Sequence, residues 1–136
     1  MSLLRKIALG YFVILAAVAG LNYVPGITDE QGLAFGIFAL DIFDDSLHLA
    51  SGLWALVAAI ISHRAAKIFL VVFGALYLAD GAMGLAVGSG YLDMGIFTNG
   101  VLDLDFTFKI LANTPHIALG GFALFAGLML DRGPAA

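Results

Sequence analysis

The chain has no cysteine, which excludes disulfides, thiolate metal sites and thiol redox chemistry, and with them the dithiol reactions of quinone-coupled membrane enzymes. Charge is nearly as scarce. Charged residues make up 12% of the chain, where soluble domains carry about a quarter. Six Lys and Arg against ten Asp and Glu give a net charge of −4 with no basic cluster, so nucleic acid finds no electrostatic footprint. Also missing are a nucleophile elbow, an HExxH pair and a phosphate loop. The glycine-rich GSGYLDMG, residues 88–95, follows an apolar run and reads as a turn rather than as a strand–loop–helix phosphate site. An enzyme is therefore not expected.

What is present is apolar: 62% hydrophobic residues and a mean hydropathy of +1.03 predict an integral membrane protein in contact with lipid. A hydrocarbon core of roughly 30 Å needs about 20 apolar helical residues. Four stretches qualify, at about residues 7–24, 46–62, 68–88 and 115–130. The second and fourth are short, and each follows an apolar lead-in, GLAFGIFAL and VLDLDFTFKILA, expected to form short interfacial helices. The predicted fold is all-α: one integral membrane domain over residues 1–136, a bundle of four transmembrane helices with long outer connections. The start, MSLLRK followed by an apolar run and Ala17-Val18-Ala19, also has signal-peptide features. It is read as a retained helix, because removal would leave an odd number of spans.

Orientation follows from the basic residues near the span ends. Arg5, Lys6, Arg64, Lys67 and Arg132 fall on one side; Lys109 is the only basic residue in the two long connections. Those connections hold Asp29, Glu30, Asp41, Asp44, Asp45, Asp93, Asp103 and Asp105. Both termini are accordingly expected in the cytoplasm and both acidic connections outside.

The chain also reads as two similar helix–loop–helix halves. Setting Lys6-Ile7 on Lys67-Ile68 matches Leu9 with Leu70, Phe12 with Phe73, Leu15 with Leu76 and Gly20 with Gly81. Setting His48 on His116 matches Gly52 with Gly120, Ala55 with Ala123 and Leu56 with Leu124. A composition rich in Leu, Ala, Gly and Phe offers a second source for the same matches. With two spans per half, the halves would be related by an axis along the membrane normal, unlike inverted-repeat transporters. Small residues at helical spacing (Ala16 and Gly20; Gly52, Ala55 and Ala59; Gly84 and Gly88; Gly120, Ala123 and Gly127) suit close helix packing in lipid.

The candidate site residues share those stripes. His48 stands one turn before Gly52 and His116 one turn before Gly120. With Asp45 or Ser46 as one cap, and Thr114 with Pro115 as the other helix start, both histidines are expected in first turns. There the helix dipole favours the neutral imidazole that binds metal. Asp80 is the ionisable residue deepest in a span, on one face with Phe73, Tyr77, Gly84 and Gly88, and it needs a partner. Tyr77, Asn22 and Tyr23 are candidates, and Asp80 is expected to meet the histidines either directly or through a water or a tyrosine.

Three readings stay open. The histidines could hydrogen-bond to Asp41, Asp44, Asp45, Asp103, Asp105 or Asn113 and tie the connections down. They could bind a cofactor: a haem, a chlorophyll-type pigment or a transition metal on His48 and His116, with Asp44 and Asp45 as further metal ligands and Gly52 and Gly120 as room for a flat macrocycle. Or Asp80 could line a proton or ion path. Calcium is disfavoured, since Asp41, Asp44 and Asp45 lack EF-hand spacing.

Phe43, Asp44 or Asp45, His48 and Gly52, echoed by Asn113, His116 and Gly120, resemble the pattern of an uncharacterised family of small bacterial four-helix membrane proteins, a domain of unknown function. The resemblance implies this fold and a bacterial inner-membrane location, and no activity. The expected role is a structural or accessory subunit packed against other transmembrane subunits.

Overall fold

The computed structural model of the protein describes residues 1–20, 26, 33–34, 38–39, 42–87 and 106–131. In chain order these form α1 (Leu3–Gly20), β1 (Leu33–Ala34), β2 (Phe38–Ala39), α2 (Ile42–Ile61), α3 (His63–Val87) and α4 (Phe106–Met129). Among the described residues three helical stretches are long and apolar enough to cross a membrane: Leu3–Gly20, His63–Val87 and Lys109–Met129. The fourth, Asp45–Ile61, is apolar but shorter, so four crossing-length spans are not all matched.

Two expectations for the connections need correction. GLAFGIFAL holds an antiparallel two-residue ladder, Leu33 opposite Ala39 and Ala34 opposite Phe38, where an interfacial helix was expected. Two short apolar runs separated by three residues that include a glycine carry a hairpin signal, and glycine disfavours helix by about 1 kcal/mol. VLDLDFTFKILA does not end in a separate helix either, because α4 starts at Phe106 and runs on through Pro115. Proline cannot donate to the carbonyl four residues back. Two side chains support the preceding turn: Asn113 Nδ2 donates to the Lys109 carbonyl at 2.8 Å and Thr114 Oγ1 to that of Ile110 at 2.5 Å. Polar side chains of this kind let a membrane helix carry a proline.

Helices α1 and α2 pack chiefly on each other, as do α3 and α4. The α3–α4 contact is backbone on backbone. A Cβ on Gly74 would lie 2.8 Å from the Gly120 carbonyl oxygen, and one on Gly120 would lie 2.9 Å from that of Gly74. Small residues thus let these helices meet at van der Waals distance, as lipid-embedded helices require. The largest fully buried side chains are Tyr77, Phe69, Phe73, Leu4, Leu15 and Leu70. Outside, Val13, Val57, Ile60, Phe125 and Met129 are exposed.

The helix ends nearest residues 1, 62 and 131 are closely tied. Ser62 is the single residue between α2 and α3, and its Oγ accepts from the Ala65 amide at 3.0 Å, an N-cap on α3. Arg5 donates through Nε to the Ala59 carbonyl at 2.6 Å and through its terminal nitrogen to that of Ile60 at 2.8 Å. These are last-turn carbonyls that α2 cannot satisfy internally.

Candidate functional site

Residues at i, i+3 and i+7 share one face of a helix, and on α3 these are Tyr77, Asp80 and Gly84, all buried. At about 1.5 Å per residue, Asp80 stands about 26 Å along the helix from His63 and about 10 Å from Val87. Its partner comes from α4. His116 Nδ1 lies 2.8 Å from Asp80 Oδ2, a close imidazole–carboxylate contact between α4 and α3. Of the two expected arrangements, direct or bridged, the contact is direct.

Helix α2 contributes His48 and Ser51, both buried. The two imidazoles meet with ring centroids 6.2 Å apart, and the Tyr77 ring lies beside them, edge-on to His116 at 5.3 Å and tilted to His48 at 6.4 Å. The Tyr77 hydroxyl and Ser51 Oγ are 3.5 Å apart. One polar centre therefore gathers His48, Ser51, Tyr77, Asp80 and His116 from three helices. Chemically it offers two imidazoles and a carboxylate, groups that exchange protons, in an apolar surround.

Several expectations change here. Because α2 starts at Ile42 and α4 at Phe106, Asp45, Ser46, Thr114 and Pro115 lie inside helices rather than at N-cap positions. His48 and His116 are consequently not in first turns. The terminal dipole, which fades within a turn, does not set their form. Gly52 and Gly120 open no space for a macrocycle: a Cβ on Gly52 would touch Leu15 Cβ at 3.4 Å, and one on Gly120 would meet the Gly74–Leu78 backbone. Among the described residues no group of three or more His, Asp or Glu is placed to hold a metal ion. Asp45 is half-buried on α2, while the Asp44 side chain and Asp41, Asp103, Asp105, Asn22, Tyr23 and Gly88 lie outside the described residues. Asn113 bonds its own helix, and a Cβ on Gly84 would overlap its side-chain amide.

Sequence reasoning missed Ser51, whose only signal was its position three residues after His48 on the same helix face. It also missed a second polar centre at the other end of the bundle. His63 Nε2 lies 2.7 Å from Asp131 Oδ1, Lys67 Nζ lies 2.7 Å from Asp131 Oδ2, and His63 Nδ1 lies 2.9 Å from Ser2 Oγ. The four-residue spacing of His63 and Lys67 hinted at a shared partner; nothing local pointed to Asp131.

Apolar helices wrapped around a polar centre define a small helical protein compatible with a membrane. The chain belongs to the family described as a domain of unknown function (DUF4383), which matches residues 5–98. That match takes in α1 to α3 with His48, Tyr77 and Asp80, and stops short of His116. No curated protein and no solved structure matches the chain.

Proposed function

We propose that the chain is a multi-pass protein of the bacterial inner membrane, with both termini cytoplasmic and its acidic connections periplasmic, acting as a structural or accessory subunit of a larger membrane assembly. The observation that carries this reading is the inverted distribution of side chains, with Val13, Val57, Ile60, Phe125 and Met129 outside and His48, Ser51 and Asp80 inside. Lipid accepts that arrangement, whereas water would favour its opposite. Helix α2, 20 residues from Ile42 to Ile61, has a length of about 30 Å and serves as the fourth span.

Orientation is supported by the gathering of Arg5 and Lys67 at the bundle end that carries His63 and Asp131, since Lys and Arg mark the cytoplasmic side. The two-half organisation is supported by the pairing of each helix with its chain neighbour and by the facing of His48 and His116. For an accessory role the support is the seam between α1 and α4. Their backbones approach at few points and Tyr11 bridges them, leaving an apolar groove of about 340 Å³ lined by Ile7, Ile14, Ala118 and Phe122 among others, shaped for a neighbouring hydrophobic surface.

Gentle detergent extraction from the native membrane tests the proposal. Migration together with other membrane proteins, above the mass of the single chain, is expected; migration always at its own mass contradicts the accessory role.

A further inference from the structure

The polar centre has two unlike sides. Towards residue 63 it is sealed: Tyr77 stacks on Phe73 with centroids 4.0 Å apart, Phe73 on Phe69 at 5.0 Å, and Ala55, Ala59, Ala123 and Ala126 fill the remaining space, all buried. Tyr11, the titratable side chain that α1 adds to this layer, donates its hydroxyl to the Leu119 carbonyl at 2.5 Å and turns away from the centre. The His116 side chain is 21% exposed against 4% for Asp80, so His116 is the member of the pair that the surroundings reach. Asn113 and Lys109 follow at successive turns on the same face of α4, both partly exposed.

We infer that Asp80 and His116 form a proton-binding site reached from one side of the membrane and closed to the other. Uptake of one proton from water converts a carboxylate beside a neutral imidazole into a carboxylate beside an imidazolium, and release returns the proton to the same side. No bond other than N–H or O–H forms or breaks. His48, 6.2 Å away, is the second base within the centre. The other groups facing the pair are Asp45 and Ser51 from α2, Tyr77 from α3 and Lys109 farther along α4. A conduit would need a further acid or base between Tyr77 and the distant His63–Asp131 centre, where the described buried side chains are aromatic, aliphatic or small. The site is thus suited to sensing rather than transport. Since the pair bridges α3 and α4, its charge state acts on the contact between those two helices.

One-sided access rests on the membrane reading; the proton site itself does not. The test uses the full chain with isotope-labelled histidine, purified in detergent, and infrared difference spectra between mildly alkaline and mildly acidic buffer. In the wild type a carboxylate band and an imidazole band should change in one step. Asp80→Asn should abolish the carboxylate change and displace the imidazole change, while His63→Gln leaves both. Should Asp80→Asn not fold, Asp80→Glu should move the carboxylate band without abolishing the step. An imidazole step identical in wild type and Asp80→Asn, or no step at all, overturns the inference, as does a step that disappears with a chelator and returns with zinc. In closed vesicles of uniform orientation, acidification of one side alone should produce the step. A response from both sides, or a proton flux removed by Asp80→Asn, overturns the closed end. Carbonate washing of native membranes separates the two readings: a chain washed free refutes the membrane reading and leaves the result in detergent standing.

Discussion

The bundle holds two histidine–aspartate pairs of nearly equal length in opposite surroundings: His116–Asp80 at 2.8 Å and His63–Asp131 at 2.7 Å. Asp131 is 23% exposed and also meets Lys67, so water and a second cation are at hand if His63 is lost. Asp80 is 4% exposed and is held among α2, α3 and α4, with far less water at hand. Distance alone therefore says little about what a pair is worth. A pair near the surface contributes about 0–1 kcal/mol, whereas breaking a buried pair on one side costs about 3–5 kcal/mol, mostly from the charge left behind. The outer pair pins helix ends. The inner one can hold a proton.

That contrast can be attacked directly. The largest effect is expected from His116→Ala, which takes from buried Asp80 the imidazole 2.8 Å away: a loss of about 3 kcal/mol, measured by denaturant titration of helicity in detergent. An equal loss from His63→Ala would erase the distinction between the pairs. Next comes Gly120→Ala, whose new methyl meets the α3 backbone and should cost about 1–3 kcal/mol in the same titration. Its neighbour Gly121 faces open space, so Gly121→Ala should be near neutral. Asp131→Asn should cost about 1 kcal/mol at most, because part of the contact survives as a neutral hydrogen bond. The smallest effect is that of salt. Raising ionic strength should weaken the Asp131 contacts and leave the Asp80 pair unchanged, read as a salt-dependent cost of Asp131→Asn beside a salt-independent cost of His116→Ala.

The contrast also explains which parts of the molecule were legible in advance. Apolar run length announced the helices, and the spacing of Tyr77, Asp80 and Gly84 announced a buried polar face, because both are local periodicities. The repeated His-x-x-x-Gly pattern singled out the two imidazoles that meet, although not the reason for the glycines. Gly52 lies against α1 and Gly120 against α3, a difference set by which helix happens to be the neighbour. Helix starts were misjudged for a related cause. Pro115 and Thr114 look like a helix beginning, and only the bonds of Asn113 and Thr114 to preceding carbonyls let α4 run through them. The His63–Asp131 contact joins residues far apart in sequence, and no periodicity records it.

The absence of native cysteine allows a direct measurement of the central claim, that His48 and His116 converge with Asp80 on one buried centre. In the doubly substituted His48→Cys, His116→Cys chain, a short bifunctional thiol reagent should join α2 to α4 in the folded protein. A His48→Cys, His63→Cys control should remain unjoined. Cross-linking of the first pair in native membranes, lost on unfolding, is the expected result; a folded protein in which that pair never cross-links contradicts the account.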